Sequence, residues 1–335
     1  MGKMVGVDLG TANTLMFLKG KGIVLRAPSV VAISKADREV VALGREAQRM
    51  LGRTPEGILA FRPIKDGVIA DFDVAAKMLR AYFEVTGSIS LFSRPTVVVC
   101  IPYGVTDVEK RAVEDVTYQA GARSVALVDE PLAAALGAEL RVGRARGSMI
   151  VDIGGGTTEV AVISMGGIVA SQSLRVAGDE FDDAIVEYLK KYRDILVGSA
   201  TAEELKLRIG AAHPDLLRGS MEVSGRSLRS GLGITASVRS DEIRAALERP
   251  LMAVIRTIKS TLEETPPELS SDIYDFGITL TGGGALLRGI DRLITEKTGL
   301  RVNIAKEPLE CVCKGIGRII ESEGSLGDLL QIRQR

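Results

Sequence analysis

One histidine, His213, and three cysteines, Cys100, Cys311 and Cys313, are all that 335 residues offer for zinc or imidazole chemistry. A Cys/His zinc site and a Ser-His-Asp triad both lack ligands or bases. The odd, low cysteine count builds no disulfide framework and suits a reducing cytosol. No run of about 18 apolar residues occurs, so no segment reads as a membrane span. The opening Met1-Gly2-Lys3-Met4-Val5 leads into a short apolar stretch broken by Asp8, which is not the pattern of a signal peptide. Excess charge is missing too. Lys+Arg and Asp+Glu both number 43, and this balance excludes a generally basic nucleic-acid binder. No G-x-x-x-x-G-K-[ST] is present, because neither Gly2-Lys3 nor Gly20-Lys21 is followed by Ser or Thr; a P-loop NTPase is excluded.

What the chain does have is 46% hydrophobic and 26% charged residues, ordinary for a soluble globular protein with a large core. At 335 residues it exceeds twice a typical domain of about 150, favouring two domains or one duplicated unit. Short strands at Val5–Leu9, Thr14–Leu18 and Ile23–Arg26, parted by glycine turns, read as an antiparallel meander. A hairpin follows at Ser29–Ile33 and Glu39–Leu43. Helix 73–86, the apolar strand Thr96–Ile101, helix 107–121, strand Val125–Val128 and helix 131–140 come next. This alternation predicts a mixed α/β fold, with a parallel or mixed sheet covered by helices. Strands at Met149–Ile153, Glu159–Ser164 and Gly167–Arg175 begin the pattern again, before a helix from Asp179 to Tyr192. Further helices are expected at 202–210, 240–263, 285–297 and 309–322, a β segment at 219–238, and short strands near 278–281 and 302–304. Polar, glycine-containing 141–147 is the seam between halves, and Pro266-Pro267 breaks another connection.

The restart is an internal repeat. Asp8-Leu9-Gly10-Thr11-Ala12-Asn13-Thr14 and Asp152-Ile153-Gly154-Gly155-Gly156-Thr157-Thr158 share one grammar: an apolar strand, an Asp-apolar-Gly turn, small residues and a returning strand. Two copies imply two lobes about a pseudo-twofold axis. Glycine lets backbone N–H groups approach a ligand closely, and successive N–H groups form an anion nest. Two nests facing across a cleft would clamp a polyphosphate, with each Asp placed to hold the accompanying hydrated Mg²⁺. A single such turn has a simpler explanation, a tight hairpin with a buried Asp bonded to its own backbone. A third cluster, Thr281-Gly282-Gly283-Gly284-Ala285 through Gly289, follows a strand and opens the expected 285–297 helix, a strand-to-helix anion or nucleotide site.

These three segments resemble the phosphate-1, phosphate-2 and adenosine motifs of the actin, sugar kinase and heat-shock chaperone superfamily. Within it the chain closely resembles the MreB family of bacterial actins, through Gly20 to Leu25, Met50 to Pro55, Arg62 to Phe72 and Asp129-Glu130-Pro131. The likeness runs from near residue 5 to near residue 322. It implies an actin-like two-lobed ATPase fold with a nucleotide cleft between lobes. In this reading 1–32, 66–145 and 310–335 form one lobe core, with 33–65 a small insertion. Residues 146–180 and 240–309 form the other core, with 181–239 its subdomain. It implies ATP and Mg²⁺ as cofactors, and slow ATP hydrolysis coupled to polymerisation into protofilaments. It places the protein on the inner face of the cytoplasmic membrane, guiding the cell-wall elongation machinery that maintains rod shape.

The resemblance carries over residue by residue. Asp8 and Asp152 match the metal-side aspartates. Thr11, Ala12 and Asn13 fit the first phosphate loop, and Gly154, Gly155, Gly156 and Thr157 the second, with Thr157 also orienting the attacking water. Glu130 matches the acid that positions or activates that water; helix N-terminal charge compensation is its simpler role. Glu203, Glu204, Leu205 and Lys206 bracket the adenosine, opposite Gly282, Gly283, Gly284 and Ala285. A Thr201–Glu204 capping box and a Glu203–Lys206 surface ion pair are the alternative explanations of that helix. Leu91-Phe92, at the tip of a polar loop, resembles a membrane-inserting element; packing back on helix 73–86 is the other reading. Two such residues bury roughly 3–5 kcal/mol at best, so attachment would need the avidity of a filament. His213 is expected in a solvated loop, Cys311 and Cys313 as packing thiols, and 325–335 as either a docked helix or a polymer contact. The rival functions on this fold are a small-molecule kinase and a chaperone-like ATPase, for which 33–65 is a small insertion and no peptide-binding domain follows Arg335.

Overall fold

A computed structural model describes residues 3–90, 93–322 and the backbone of 331–333. The Leu91-Phe92 tip therefore lies outside the described residues.

The first half contains β1 (Met4–Leu9), β2 (Asn13–Leu18), β3 (Gly22–Pro28), β4 (Val31–Ser34), β5 (Val40–Leu43), α1 (Arg45–Met50) and β6 (Ile58–Phe61). It continues with β7 (Ile64–Lys65), β8 (Val68–Ile69), α2 (Phe72–Val85), β9 (Thr96–Ile101), α3 (Asp107–Gln119), β10 (Ser124–Asp129) and α4 (Glu130–Gly137). The second half runs β11 (Ser148–Ile153), β12 (Thr158–Ser164), β13 (Gly167–Leu174), α5 (Gly178–Arg193), β14 (Ile195–Leu196), α6 (Ser199–Ile209), β15 (Ser220–Ser227), β16 (Gly233–Arg239) and α7 (Ser240–Glu263). It closes with α8 (Pro267–Phe276), β17 (Ile278–Thr281), α9 (Ile290–Thr298), β18 (Val302–Ile304), α10 (Cys311–Glu321) and β19 (Gln331–Arg333).

The repeat read from the glycine turns is present in the sheets. One has the order β19-β10-β9-β1-β2-β3 and the other β13-β12-β11-β17-β18. In each, an antiparallel meander (β1-β2-β3 or β11-β12-β13) is extended by two parallel strands, β9 and β10 or β17 and β18. The parallel strands are apolar on both faces, as strands covered by helices must be: Val97, Val98 and Val99 are all buried.

Three cores result. One lies under α2 and α3 in the first lobe, with Met78, Leu79 and Phe83 against Val97 and Val99. A larger one gathers Phe181, Ile185, Leu189, Leu247, Ile255 and Ile258 against β11 and β12. A third lies between the sheets, joining Val98 and Ala126 of the first with Ile150 and Ala161 of the second through α4 and α10. These helices touch backbone to backbone. A Cβ on Gly137 would lie 1.7 Å from the Cys311 carbonyl oxygen, and one on Gly315 would lie 1.8 Å from that of Ala133. Only glycine permits such an approach.

Several local expectations are corrected. The 285–297 helix is split: Gly283–Leu286 is a single 3-10 turn, and α9 starts only at Ile290. The turn is capped by Leu287, and Gly289, at φ 76° and against His213 and Leu216, is the N-cap of α9, its left-handed backbone interrupting the helix between the two pieces. The Thr201–Glu204 capping box does not form, because α6 begins three residues earlier, at Ser199 with Gly198 as its N-cap. His213 is not a solvated loop residue: its side chain is 16% exposed, it lies 3.5 Å from Glu296, and its Nδ1 accepts the Asp215 N–H. In the tail, 331–333 form β19, an antiparallel edge strand on β10 with Val125 opposite Arg333, in place of the helix considered for that segment. Helices α1 and α8 were not anticipated. Among the described residues no helix is long and apolar enough to cross a membrane.

Candidate functional site

The site sits where the two meanders turn. β1 and β11 are each the strand from which a meander departs on one side and a parallel pair on the other, and both end at an aspartate-glycine turn. Parallel strands in α/β sheets end at the ligand crevice. Here two such ends point into one cleft of about 560 Å³, a size ordinary for small-molecule sites. Asp8, Thr11, Ala12, Asn13 and Glu130 line it from the first half. Asp152, Gly154 to Thr157, Glu203, Lys206 and Gly282 to Gly284 line it from the second.

The turns approach closely enough to need glycine. A Cβ on Gly155 would fall 2.9 Å from the Ala12 backbone nitrogen, and one on Gly156 2.7 Å from Thr11 Oγ1. Each turn is braced from behind. Ser29 Oγ donates to the Gly10 carbonyl at 2.7 Å, Arg62 Nη1 donates to the Thr11 carbonyl at 3.2 Å, and the Gly67 N–H donates to Thr11 Oγ1 at 3.1 Å. The second turn is closed by the Gly154 N–H on the Thr157 carbonyl at 2.9 Å. The start of α5 then fixes it, the Gly178 and Asp179 N–H groups donating to the Gly154 and Gly155 carbonyls at 3.1 and 2.8 Å. The carbonyls are thus occupied from behind, as a nest that presents N–H groups to an anion requires.

Beneath the turns lies an acidic floor. Burial pushes Asp8 up to about 7, helped by the Asp152 charge and opposed by the Cys100 thiol, whose Sγ is 3.6 Å from Asp8 Oδ1. Burial also raises Glu130 well above the usual range, with Asp152, Asp8 and Glu159 adding repulsion. Asp152 is raised by burial, with Thr281 and Glu130 holding it down. Glu159, fully buried behind the turn, is pushed up to about 7 by burial; Ser173 Oγ at 2.6 Å holds it down. Asp152 Oδ1 is buried with no hydrogen-bond partner. Carboxylates so arranged repel one another unless protons or a cation offset them. This donor set fits a divalent cation carried on phosphates and waters: hard oxygen ligands, one of them orphaned. Among the described residues, no group of three or more His, Cys, Asp or Glu is arranged to hold a metal ion without other ligands.

Not every residue expected here lines the cleft. Leu205 is buried in the second lobe's core, Ala285 is buried under the 3-10 turn, and Glu204 points to solvent, paired with Arg208 at 2.9 Å. Lys206 does not pair with Glu203. Its ammonium lies 2.8 Å from both the Asp182 carboxylate and the Gly178 carbonyl, tying α6 to α5 at the cleft wall. Asp182, Arg62, Ser29 and Asp179 escaped the sequence reading of the site. Arg62 was visible only as part of a motif, and the others gain their roles from contacts distant in sequence.

A duplicated meander-plus-parallel-pair sheet, with a cleft between two facing glycine turns, defines the actin-like two-lobed class. MreB5 of Spiroplasma citri bound to AMPPNP superposes with a TM-score of 0.90 at 38% identity, covering 94% of this chain and 95% of that one. The MamK double helical filament superposes at 0.81 and 22% identity over 96% of this chain and all of that one, a likeness of fold alone. The family described as MreB/Mbl protein matches residues 2–327, and the chain belongs to it. It is 51% identical over 323 residues to the cell shape-determining protein MreB of Escherichia coli K12, covering 95% of this chain and 93% of the relative. It is 45% identical over 322 residues to the cell shape-determining protein Mbl of Bacillus subtilis 168, covering 96% and 97%.

Proposed function

We propose that this chain is a nucleotide-dependent, filament-forming ATPase that polymerises on the inner face of the cytoplasmic membrane and organises cell-wall synthesis to maintain rod shape. The observation carrying this reading is the backbone-to-backbone meeting of the two glycine turns over Asp8 and Asp152. Relatives named for cell shape determination, and an MreB5 that binds AMPPNP and ADP, support it.

In this mechanism the N–H groups of Thr11 to Asn13 and of Gly154 to Thr157 hold the phosphates from opposite lobes. Asp8 and Asp152 are the residues that would hold Mg²⁺ in this cleft. When bound, that ion neutralises charge that develops on the phosphates and relieves the repulsion on the floor. Glu130, at the start of α4 beside Asp152 and Asp8, and Thr157 orient the attacking water. Lys206 and Glu203 on one wall and Gly282 to Gly284 on the other take the adenosine. Hydrolysis then changes how the lobes sit and so how tightly neighbouring subunits bind. The Leu91-Phe92 loop supplies the membrane contact, multiplied along a polymer.

Sedimentation with ATP and Mg²⁺, followed by electron microscopy on lipid, tests the reading. Nucleotide-dependent pelleting and filaments are expected; a chain that stays soluble at tens of micromolar and makes no filaments overturns it.

A further inference from the structure

The sheet register places two residues in equivalent positions that the reading above leaves unused. β1 runs parallel to β9 with Val7 opposite Val99, so Asp8 falls beside Cys100. β11 runs parallel to β17 with Asp152 directly opposite Thr281. Each metal-side aspartate thus has, one strand over and at the same level, a small side chain able to donate one hydrogen. Cys100 Sγ lies 3.6 Å from Asp8 Oδ1, within reach of a sulfur hydrogen bond. In the second lobe the Thr281 hydroxyl is near enough to hold the Asp152 carboxyl down, yet neither Thr281 Oγ1 nor Asp152 Oδ1, both buried, completes a hydrogen bond of full geometry in this structure. The Gly282 turn confines Asp152 Oδ1, since a Cβ there would lie 2.8 Å from it. Two orphaned polar atoms on register partners are costly unless they face each other or a ligand completes them.

We propose that Cys100 and Thr281 are a pseudo-symmetric pair of positioning residues, each fixing the rotamer of the aspartate beside it so that its outer oxygen faces the phosphate-bound cation. The inference rests on the nucleotide reading. It adds that the two lobes grip unequally: a thiol is a weak donor and a hydroxyl a strong one, so once the Thr281 hydroxyl turns to Asp152 in the loaded site, Asp152 is held more firmly than Asp8. Threonine is also β-branched and stiff at χ1, which suits it to hold a neighbour.

The test measures binding of a fluorescent ATP analogue to the full chain, with EDTA and across a Mg²⁺ titration, for T281V, T281S, C100A and C100S. T281V is expected to raise the half-saturating Mg²⁺ concentration about tenfold, the scale of one hydrogen bond to a charged group. T281S is expected to restore it to within about twofold of wild type, because the same bond is kept. C100A is expected to move it only about twofold, as a weak donor implies, and C100S to lower it. Mg²⁺-free binding stays as in wild type for all four. Thermal melting of each variant separates a folding defect from a cation effect. A T281V that melts normally and matches wild type across the titration overturns the inference, as does equal weakening with and without Mg²⁺. A wild type that binds no nucleotide at all overturns the nucleotide reading instead, and this inference with it.

Discussion

Glu159 is the least expected residue of the site, a carboxyl placed inside the second lobe's sheet where neither water nor a cation reaches it. Its pKa is pushed up to about 7 by burial. Between the ordinary carboxylate range and that value the folded chain keeps a proton that the unfolded chain releases, so Glu159 lowers stability as pH rises through this window. Glu159→Gln keeps an oxygen for the Ser173 hydroxyl and removes the titration. The melting temperature of wild type relative to this variant is expected to fall from pH 5 to pH 8 without nucleotide; a constant difference contradicts the buried acid. Roles at the floor separate in the same way. Asp152→Ala should abolish Mg²⁺-dependent nucleotide binding. Glu130→Ala should leave binding and polymerisation intact while phosphate release falls by about 100-fold or more. Equal loss of binding and turnover in Glu130→Ala would remove its assignment as the acid that acts on water.

At the scale of elements, legibility followed locality. The two meanders and their aspartate-glycine turns were readable because an apolar strand, an aspartate and glycines lie within seven consecutive residues. The α5 helix was readable from its period and charge gradient. What escaped was decided by partners far along the chain. β19 is a strand only because β10 offers it an edge, and Lys206 turns to Asp182 on another helix rather than to its own neighbour. α6 starts at Ser199, with Gly198 as its N-cap in extended backbone, which leaves Thr201 inside the helix and unable to cap it. The α4–α10 contact was equally invisible, since nothing in the residues around Gly137 or Gly315 points to a partner helix. Gly315→Ala sets a methyl against the Ala133 carbonyl and is expected to cost about 3 kcal/mol in denaturant unfolding, an overpacking effect. A change below about 0.5 kcal/mol, ordinary for an exposed site, would mean that the helices part easily.

For the whole molecule, the proposed membrane attachment and assembly are one question, because two apolar side chains bind a bilayer weakly and an array binds it well. Leu91→Ser combined with Phe92→Ser is expected to reduce co-pelleting of polymers with anionic liposomes while ATP turnover in solution is unchanged. Unaltered co-pelleting would move the lipid contact to another surface. The α4–α10 crossing spans both sheets. α10 packs on β1, β2, β3 and β9, whereas α4 also packs on β11 and β12 of the other sheet. The helices meet at two places with no side chain between them, Gly137 on Cys311 and Gly315 on Ala133. Two such points fix the register of the crossing: with bare backbone against bare backbone at both, neither helix can shift along the other without a clash.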